Sequence, residues 1–367
     1  MKLGIFFYKL REIFTGFFNY HLVSKYKSLC PRKILVALTY NCNSQCIMCN
    51  IWKKRPKNEL GLNDWKMILK DSIFKSIRSL GITGGEAVLH PQFKAITRLF
   101  VKSMPNLKKI SLVSNGLATD RVVKMVIYLA KLCEKKNIAF GVSISLDGIG
   151  KVHDKVRRVS GAFERVKSTL NELKILKNNG RLDWLSCGVL LLRENIDKIG
   201  QLEHWLKKKK IDYDFQIVGF HEEYVNNLNI QSKVDFDKTT KKFLFKKLKK
   251  LSQPKSWKDV KAYFWADMLS MYKNKTQRIT QCPFLKDEFC IDSLGDVYYC
   301  FSEKPIGNLR GKKTVGELYY DKKNFNFRKK LFKTACLKCN SSCDVRDILQ
   351  KDFIYHLWTR LFFKRKF

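Results

Sequence analysis

The sequence predicts an α/β protein: parallel strands wound with helices, followed by a small cysteine-rich α+β module. Three observations predict it. Between residues 32 and 220, short apolar runs alternate with longer segments of helical periodicity. Cysteine and glycine motifs follow the apolar runs, where a parallel sheet gathers its functional loops. A second set of cysteines, Cys282 to Cys343, lies near the C-terminal end.

Taken in order, strands are expected over 33–39, 78–83, 108–114, 139–146, 184–192 and 212–218, and helices over 62–72, 91–103, 120–135, 161–178 and 196–209. Such alternation implies parallel strands joined by right-handed crossovers. Charged stretches such as Lys207–Lys210 read as solvated helix faces. Residues 221–281 carry no strong motif and read as a helical linker, within which Lys241–Leu251 (KKFLFKKLKKL) is a basic amphipathic helix. Isolated Cys30, Cys133 and Cys187 read as buried packing residues.

With 367 residues, 45% of them apolar, the chain can bury one large core and a smaller module. Twelve cysteines, mostly clustered, without a secretory signal point to a reducing cytoplasm and to metal binding. The net charge of +39 fits codon bias, an anionic membrane surface or an anionic partner, and does not choose among them. A nucleic-acid partner is not expected. Residues 1–31 form a basic-aromatic segment in which Phe6, Leu10, Phe14, Phe17 and Phe18 recur near helical spacing. No uncharged run reaches the roughly 18 residues of a spanning helix. An interfacial helix on anionic lipid at the inner face of the membrane, or a helix docked on the protein, remain open. The tail, 346–367, has the same aromatic and basic character, which favours the lipid reading.

The first chemical motif is Cys42, Cys46 and Cys49, at C-x3-C-x2-C after the apolar run Ile34–Leu38. Three thiolates on one loop suit an iron–sulfur cluster with one open corner. A disulfide pair, or zinc with a distant fourth ligand, stays open on spacing alone. Farther on comes Gly81–Glu86 (GITGGE). Together these motifs resemble the radical S-adenosylmethionine (radical SAM) superfamily. Ser114-Asn115-Gly116, Ser143–Gly148 (SISLDG), His153-Asp154 and Arg157 resemble further runs of its peptide-modifying branch. Ala87 and Arg158 depart from it, standing where that branch usually has proline and glycine.

The resemblance implies a partial (β/α)6 barrel of the TIM type over 32–220. It implies a 4Fe–4S cluster on Cys42, Cys46 and Cys49 whose open iron takes the amino and carboxylate groups of SAM. Gly84, Gly85 and Glu86 would lie along the SAM amino group, with glycines permitting close backbone approach. Met48 would pack near the adenine, and Ser114, Asn115 and Ser145 would contact ribose or carboxylate. Reductive cleavage of SAM would give a radical that takes hydrogen from an unactivated carbon. An electron donor such as flavodoxin or ferredoxin is implied. Asp147, His153 and Arg157 are candidate acid–base groups.

Residues 282–345 resemble the SPASM or twitch extension, through C-x12-G-x4-C from Cys282 past Gly295 to Cys300, Ile306–Leu309 (IGNL), and Cys336, Cys339 and Cys343 at C-x2-C-x3-C. An auxiliary 4Fe–4S cluster is then expected on Cys282, Cys300, Cys336 and Cys339, with Cys343 able to replace one of the last pair. Cys290 ranks lowest, and a zinc ribbon is the alternative. The substrate stays open between a peptide and a lipid-linked or saccharide molecule of the cell envelope, with a nucleotide as a third class. The non-enzyme alternative is a membrane-associated iron–sulfur or zinc protein.

Overall fold

The structure is a computed structural model that describes residue 16, residues 18–254, residue 259 and residues 261–342. It forms two compact units. One, Pro31–Phe236 with Glu288–Leu318, contains the whole sheet. The other gathers the described parts of Met1–Cys30, Asp237–Asp287 and Tyr319–Phe367.

In the sheet unit, β1 (Lys33–Ala37), β2 (Ser79–Thr83), β3 (Lys109–Ser114), β4 (Ala139–Ser145), β5 (Trp184–Leu191) and β6 (Asp212–Ile217) lie side by side in chain order. Every neighbouring pair is parallel, as in the register Val36↔Ile82 between β1 and β2. All six expected strands are present, and the unit is an α/β partial barrel. The inner strands are buried by Ile34, Val36, Leu80, Ile82, Ile110, Leu112, Val142 and Ile144, as near-continuous apolar runs of a doubly covered sheet should be.

The crossovers are α1 (Leu62–Ile68), α2 (Phe93–Ser103), α3 (Thr119–Glu134), α4 (Lys151–Arg157) with α5 (Ala162–Asn178), and α6 (Ile199–Lys208). On α2, Phe93, Ile96, Thr97, Phe100 and Val101 are buried at helical spacing, and the Phe100 ring meets Trp65 of α1 edge-on at 4.9 Å. Cys133 on α3 and Cys187 on β5 are core residues as expected; Cys30 is instead exposed.

The sheet ends at β6 but continues past β1. β7 (Glu288–Ile291) pairs parallel with the other edge of β1, Val36↔Ile291, and continues into the antiparallel β8 (Asp296–Tyr298) and β9 (Gly307–Asn308). Gly295, at φ +91°, turns the β7–β8 hairpin. Part of the expected C-terminal module is thus built into the core sheet, because the four residues of β7 are buried on both faces.

In the helical unit, α7 (Lys238–Leu251) packs on α8 (Lys261–Asn274), and α9 (Lys322–Lys333) follows later in the chain. α7 begins three residues before the expected basic helix, because Asp237 caps it: its carboxylate accepts from Thr240 N, and Thr240 Oγ1 accepts from Asp237 N. Among the described residues no helix is long and apolar enough to cross a membrane.

Replacing Phe100 with alanine empties a fully buried ring site between α2 and α1. The expected loss is about 3–5 kcal/mol of unfolding free energy, read by denaturant titration of the folded chain.

Candidate active site

The loop after β1 and the loop after β2 are joined backbone to backbone. Leu38 N donates to Thr83 O at 2.8 Å, Gly85 N to Thr39 O at 2.7 Å, and Glu86 N to Asn41 O at 2.8 Å. A Cβ on Gly84 would stand 2.4 Å from Thr39 O, and one on Gly85 would stand 2.5 Å from Asn41 O. Gly84 also adopts φ +148°. The sequence reading assigned these glycines to close approach of a ligand. The neighbour they admit is the cysteine loop itself.

That junction carries Glu86 into the core beside the cysteines. Its side chain is 1% exposed; Oε2 accepts from Asn115 N at 2.7 Å, while Oε1 has no hydrogen-bond partner. Burial pushes its pKa up to about 7, against the opposing pull of the Asn115 hydrogen bond, of the nearby Ser114 hydroxyl and Val88 N–H, and of the Arg157 charge. Asn115, at the end of β3, turns its amide toward Asn43 Oδ1 (2.7 Å) and the Cys42 sulfur (3.7 Å). Ser114 Oγ accepts from Gly116 N. Ser145 ends β4, half-buried, and Met48 is buried, with its carbonyl accepting from Asn227 Nδ2 at 2.8 Å.

The thiols of Cys42, Cys46 and Cys49 are close enough to influence one another's charge. Burial, then the neighbouring cysteines, pushes Cys42 up to about 11 and Cys49 up to about 12; the backbone N–H groups of Ser44 and Ile51 pull the other way. A cationic centre is what would keep such thiolates ionised. Each of those two sulfurs accepts an N–H from the residue two places on. The same pattern recurs at Cys300, from Ser302 N at 3.5 Å, and at Cys339, from Ser341 N at 3.4 Å. Hydrogen bonds to sulfur favour the thiolate and tune a cluster. Cys133 and Cys187 show burial and carboxylate neighbours instead. The donor set around Cys42–Cys49 therefore fits a cluster. Among the described residues, no three metal-binding side chains converge as tightly as a single ion requires.

Cys46 is served differently. Ser44 Oγ lies 3.1 Å from its sulfur and Arg157 Nη1 3.6 Å away. Arg157 Nη2 is 2.6 Å from Asp147 Oδ2, and Asp147 Oδ1 accepts from Leu190 N. His153 Nδ1 accepts from Asp147 N, and burial holds the imidazole neutral. Asn195 Nδ2 donates to Asp147 O. Asp147 and His153 are fully buried, and Arg157 is 7% exposed. These three acid–base candidates sit in one buried clasp: Arg157 pairs with Asp147, His153 accepts from the Asp147 backbone, and Arg157 reaches Cys46 in the cysteine loop. The clasp continues through Ser44 Oγ to Arg157 O and Ile47 N to Val156 O. Arg158, which stands where glycine was expected, closes α4 at φ +52°, the left-handed region that glycine favours.

Sequence reasoning missed the loop after β6. Asn50 N donates to Val225 O, and Asn50 Nδ2 to Asn226 O and Asn229 Oδ1, so this loop grips the third cysteine's neighbour. The signal available was the Asn226-Asn227-Leu228-Asn229 run just beyond a strand end. It also missed Asp292, whose Oδ2 accepts from Tyr40 (2.6 Å) and Tyr298 (3.0 Å), tying the cysteine loop to the β7–β8 hairpin.

Of the second cysteine set, Cys290 lies buried in β7 and Cys300 follows β8 in the sheet unit. Cys282, Cys336 and Cys339 belong to the helical unit. There Arg278, 5% exposed, donates to Thr280 O, Cys339 O and Ser341 O, and its N–H to Leu337 O. The Cys282 and Cys336–Cys339 segments are thereby laced together. Cys343 lies outside the described residues.

Residues 36–206 match the Radical SAM superfamily. That stretch of the chain is thus similar to a radical SAM domain. Over 155 residues the chain is 27% identical to the sporulation killing factor maturation protein SkfB of Bacillus subtilis (strain 168), covering 42% of the chain and 35% of that protein. Over 197 residues it is 27% identical to the GTP 3',8-cyclase of Pasteurella multocida (strain Pm70), covering 48% and 56%. It thus spans about a third to a half of these curated relatives. Its fold is shared with native anSMEcpe bound to AdoMet and the Cp18Cys peptide, at TM-score 0.57, 18% identity and coverage of 90% and 99%. It is also shared with Streptococcus suis SuiB bound to S-adenosylmethionine, at TM-score 0.55, 14% identity and coverage of 86% and 73%.

Two outcomes are expected. Glu86 keeps its proton in the folded apoprotein up to about pH 7, whereas unfolded it ionises near 4.5. Its contribution to stability is therefore full below pH 4.5 and lost as pH rises toward 7. Glu86→Gln should remove that component from the stability–pH curve measured by denaturant unfolding. Arg157→Met strands the buried Asp147 carboxylate, and the same measurement should show a loss of about 3–5 kcal/mol.

Proposed function

We propose that this chain is a radical SAM enzyme that modifies a peptide by hydrogen-atom abstraction. Cys42, Cys46 and Cys49 hold a 4Fe–4S cluster, and Glu86 receives the amino group of SAM. The observation that carries the reading is the unpartnered Oε1 of Glu86, buried in the same loop junction as the cysteines. A buried carboxylate oxygen without a donor calls for one, and an ammonium supplies it. When bound, cluster and SAM supply reductive C–S cleavage and a carbon radical that takes hydrogen from substrate.

The chain's own residues position and insulate. The loop junction sets Glu86 against Cys42, the Asn115 amide faces the Cys42 sulfur, and the Asp147–Arg157 clasp fixes a positive charge beside Cys46. Met48, Gly84, Gly85, Ser114 and Ser145 complete the SAM contacts in this reading. Water is kept from the junction by Tyr40, Leu38 and Val88, each at most 1% exposed.

A peptide substrate is supported by the SkfB match and by the peptide in the anSMEcpe structure. A nucleotide is the competing class, since GTP 3',8-cyclases match over similar lengths. A second 4Fe–4S cluster drawing on Cys282, Cys300, Cys336 and Cys339 is the companion proposal. The N–H to sulfur pattern at Cys300 and Cys339 supports it. A flavodoxin- or ferredoxin-like electron donor and a cytoplasmic location go with this chemistry.

Anaerobic reconstitution tests the reading. Iron and sulfide analysis should give about eight irons per chain, falling to about four in a Cys42/Cys46/Cys49→Ala variant. Dithionite-driven conversion of SAM to methionine and 5′-deoxyadenosine should vanish with them. Unchanged iron in the variant would sink the central assignment. About four irons falling to none would leave the C-terminal cysteines without a cluster.

A further inference from the structure

The first helical stretch of the described chain turns an apolar face outward. A π-helical turn, Asn19–Val23, runs into a short α-helix, Ser24–Tyr26. Its inner side is anchored within the helical unit. Tyr20 is 3% exposed and its hydroxyl donates to Asp287 Oδ2 at 2.9 Å. Lys286 Nζ donates to Tyr20 O at 2.6 Å and to Ser24 Oγ at 3.1 Å. Two residues to either side of those anchors stand Phe18, Leu22 and Tyr26, which are 54%, 46% and 77% exposed. At every fourth position they share one side of the helix. Of the nine exposed large hydrophobic residues in the described chain, three fall here, so the exposure is concentrated rather than scattered.

The surroundings specify what would cover the stripe. Lys25 and Lys27 are exposed beside it, and residues 18–30 contain no carboxylate. In the same unit, α7 turns Lys238, Lys241, Lys242, Lys246, Lys249 and Lys250 to solvent and has no acidic residue. The same four-residue spacing continues upstream in sequence through Phe14, Leu10 and Phe6, outside the described residues. Apolar side chains framed by ammonium groups need a partner with an apolar layer beneath an anionic one. A bilayer with anionic headgroups supplies both. A second copy of the chain would bring its own charge of +39 against these lysines. Nucleic acid offers phosphates but no apolar layer for Leu22.

We propose that Phe18, Leu22 and Tyr26 form a lipid-contact face that seats this protein on an anionic bilayer. This surface is independent of the reaction proposed above. It accounts for an exposed stripe that the cluster site does not use.

Flotation of the full chain with vesicles tests it. The protein should rise with phosphatidylcholine vesicles containing about one third phosphatidylglycerol, and stay below with phosphatidylcholine alone. A Phe18→Ser/Leu22→Ser/Tyr26→Ser variant should bind about tenfold more weakly or worse, with its iron content unchanged as the control for folding. Lys25→Gln/Lys27→Gln should weaken binding severalfold and reduce its salt dependence. The proposal is overturned if the wild-type chain ignores anionic vesicles, or if the triple serine variant floats as well as the wild type. It is equally overturned if the wild type is a dimer in light scattering that the triple variant dissolves, since a second copy would then cover the stripe.

Discussion

The site depends on one contact between two loops. Two backbone hydrogen bonds, Gly85 N to Thr39 O and Glu86 N to Asn41 O, hold the ends of β1 and β2 together beyond the sheet. They form only because Gly84 and Gly85 have no Cβ to collide with Thr39 and Asn41. With the loops joined, a carboxylate that would otherwise seek water is carried into the core near the Cys42 thiol. Neither group is comfortable there alone: burial raises both the Glu86 and the Cys42 pKa, each toward its neutral form. A positively charged partner at this junction would favour the ionised form of both groups.

The protein supplies part of that partner itself, and unevenly. Cys42 faces an amide, Cys49 a backbone N–H, and Cys46 a guanidinium whose own charge is neutralised on its far side by Asp147. Burial lowers the Arg157 pKa, but Asp147 and Cys46 outweigh it and raise it overall, so the guanidinium is firmly charged. A formal cation is thus retained near one thiol at little net charge in the core, because its counter-ion is built in. Removing either partner leaves the other buried and unpaired, which makes the clasp an all-or-none feature.

Much of this was legible in the sequence. The six parallel strands follow from apolar runs, and the positions of Cys42, Glu86 and Asn115 follow from their places just past strand ends. What was illegible depends on pairing rather than residue type. α4 was not anticipated because KVHDKVR is short and charged; it holds as a helix because Asp154, Arg157 and His153 each find partners beyond it. β7 is four residues long, too short for periodicity to register, and is fixed by the open edge of β1. The same limit hid the role of Gly84 and Gly85. A glycine pair beside a ligand motif reads as room for the ligand; the side where each Cβ would stand also admits Thr39 and Asn41.

The addition of β7 to the sheet also joins two cysteine regions that are far apart in sequence. Asn50, next to Cys49, donates its N–H to Val225; the neighbouring Tyr224 donates its own to Phe301, next to Cys300. The Tyr224 and Phe301 rings stack at 4.3 Å and 14°. Tyr40, two residues before Cys42, leans on Tyr224 at 5.9 Å and bonds Asp292 in the same hairpin. The loop after β6 is therefore wedged between Cys49 and Cys300, fixed to each through the backbone. The loop after β6 thus carries close-packed contacts from the backbone beside Cys49 to the hairpin beside Cys300.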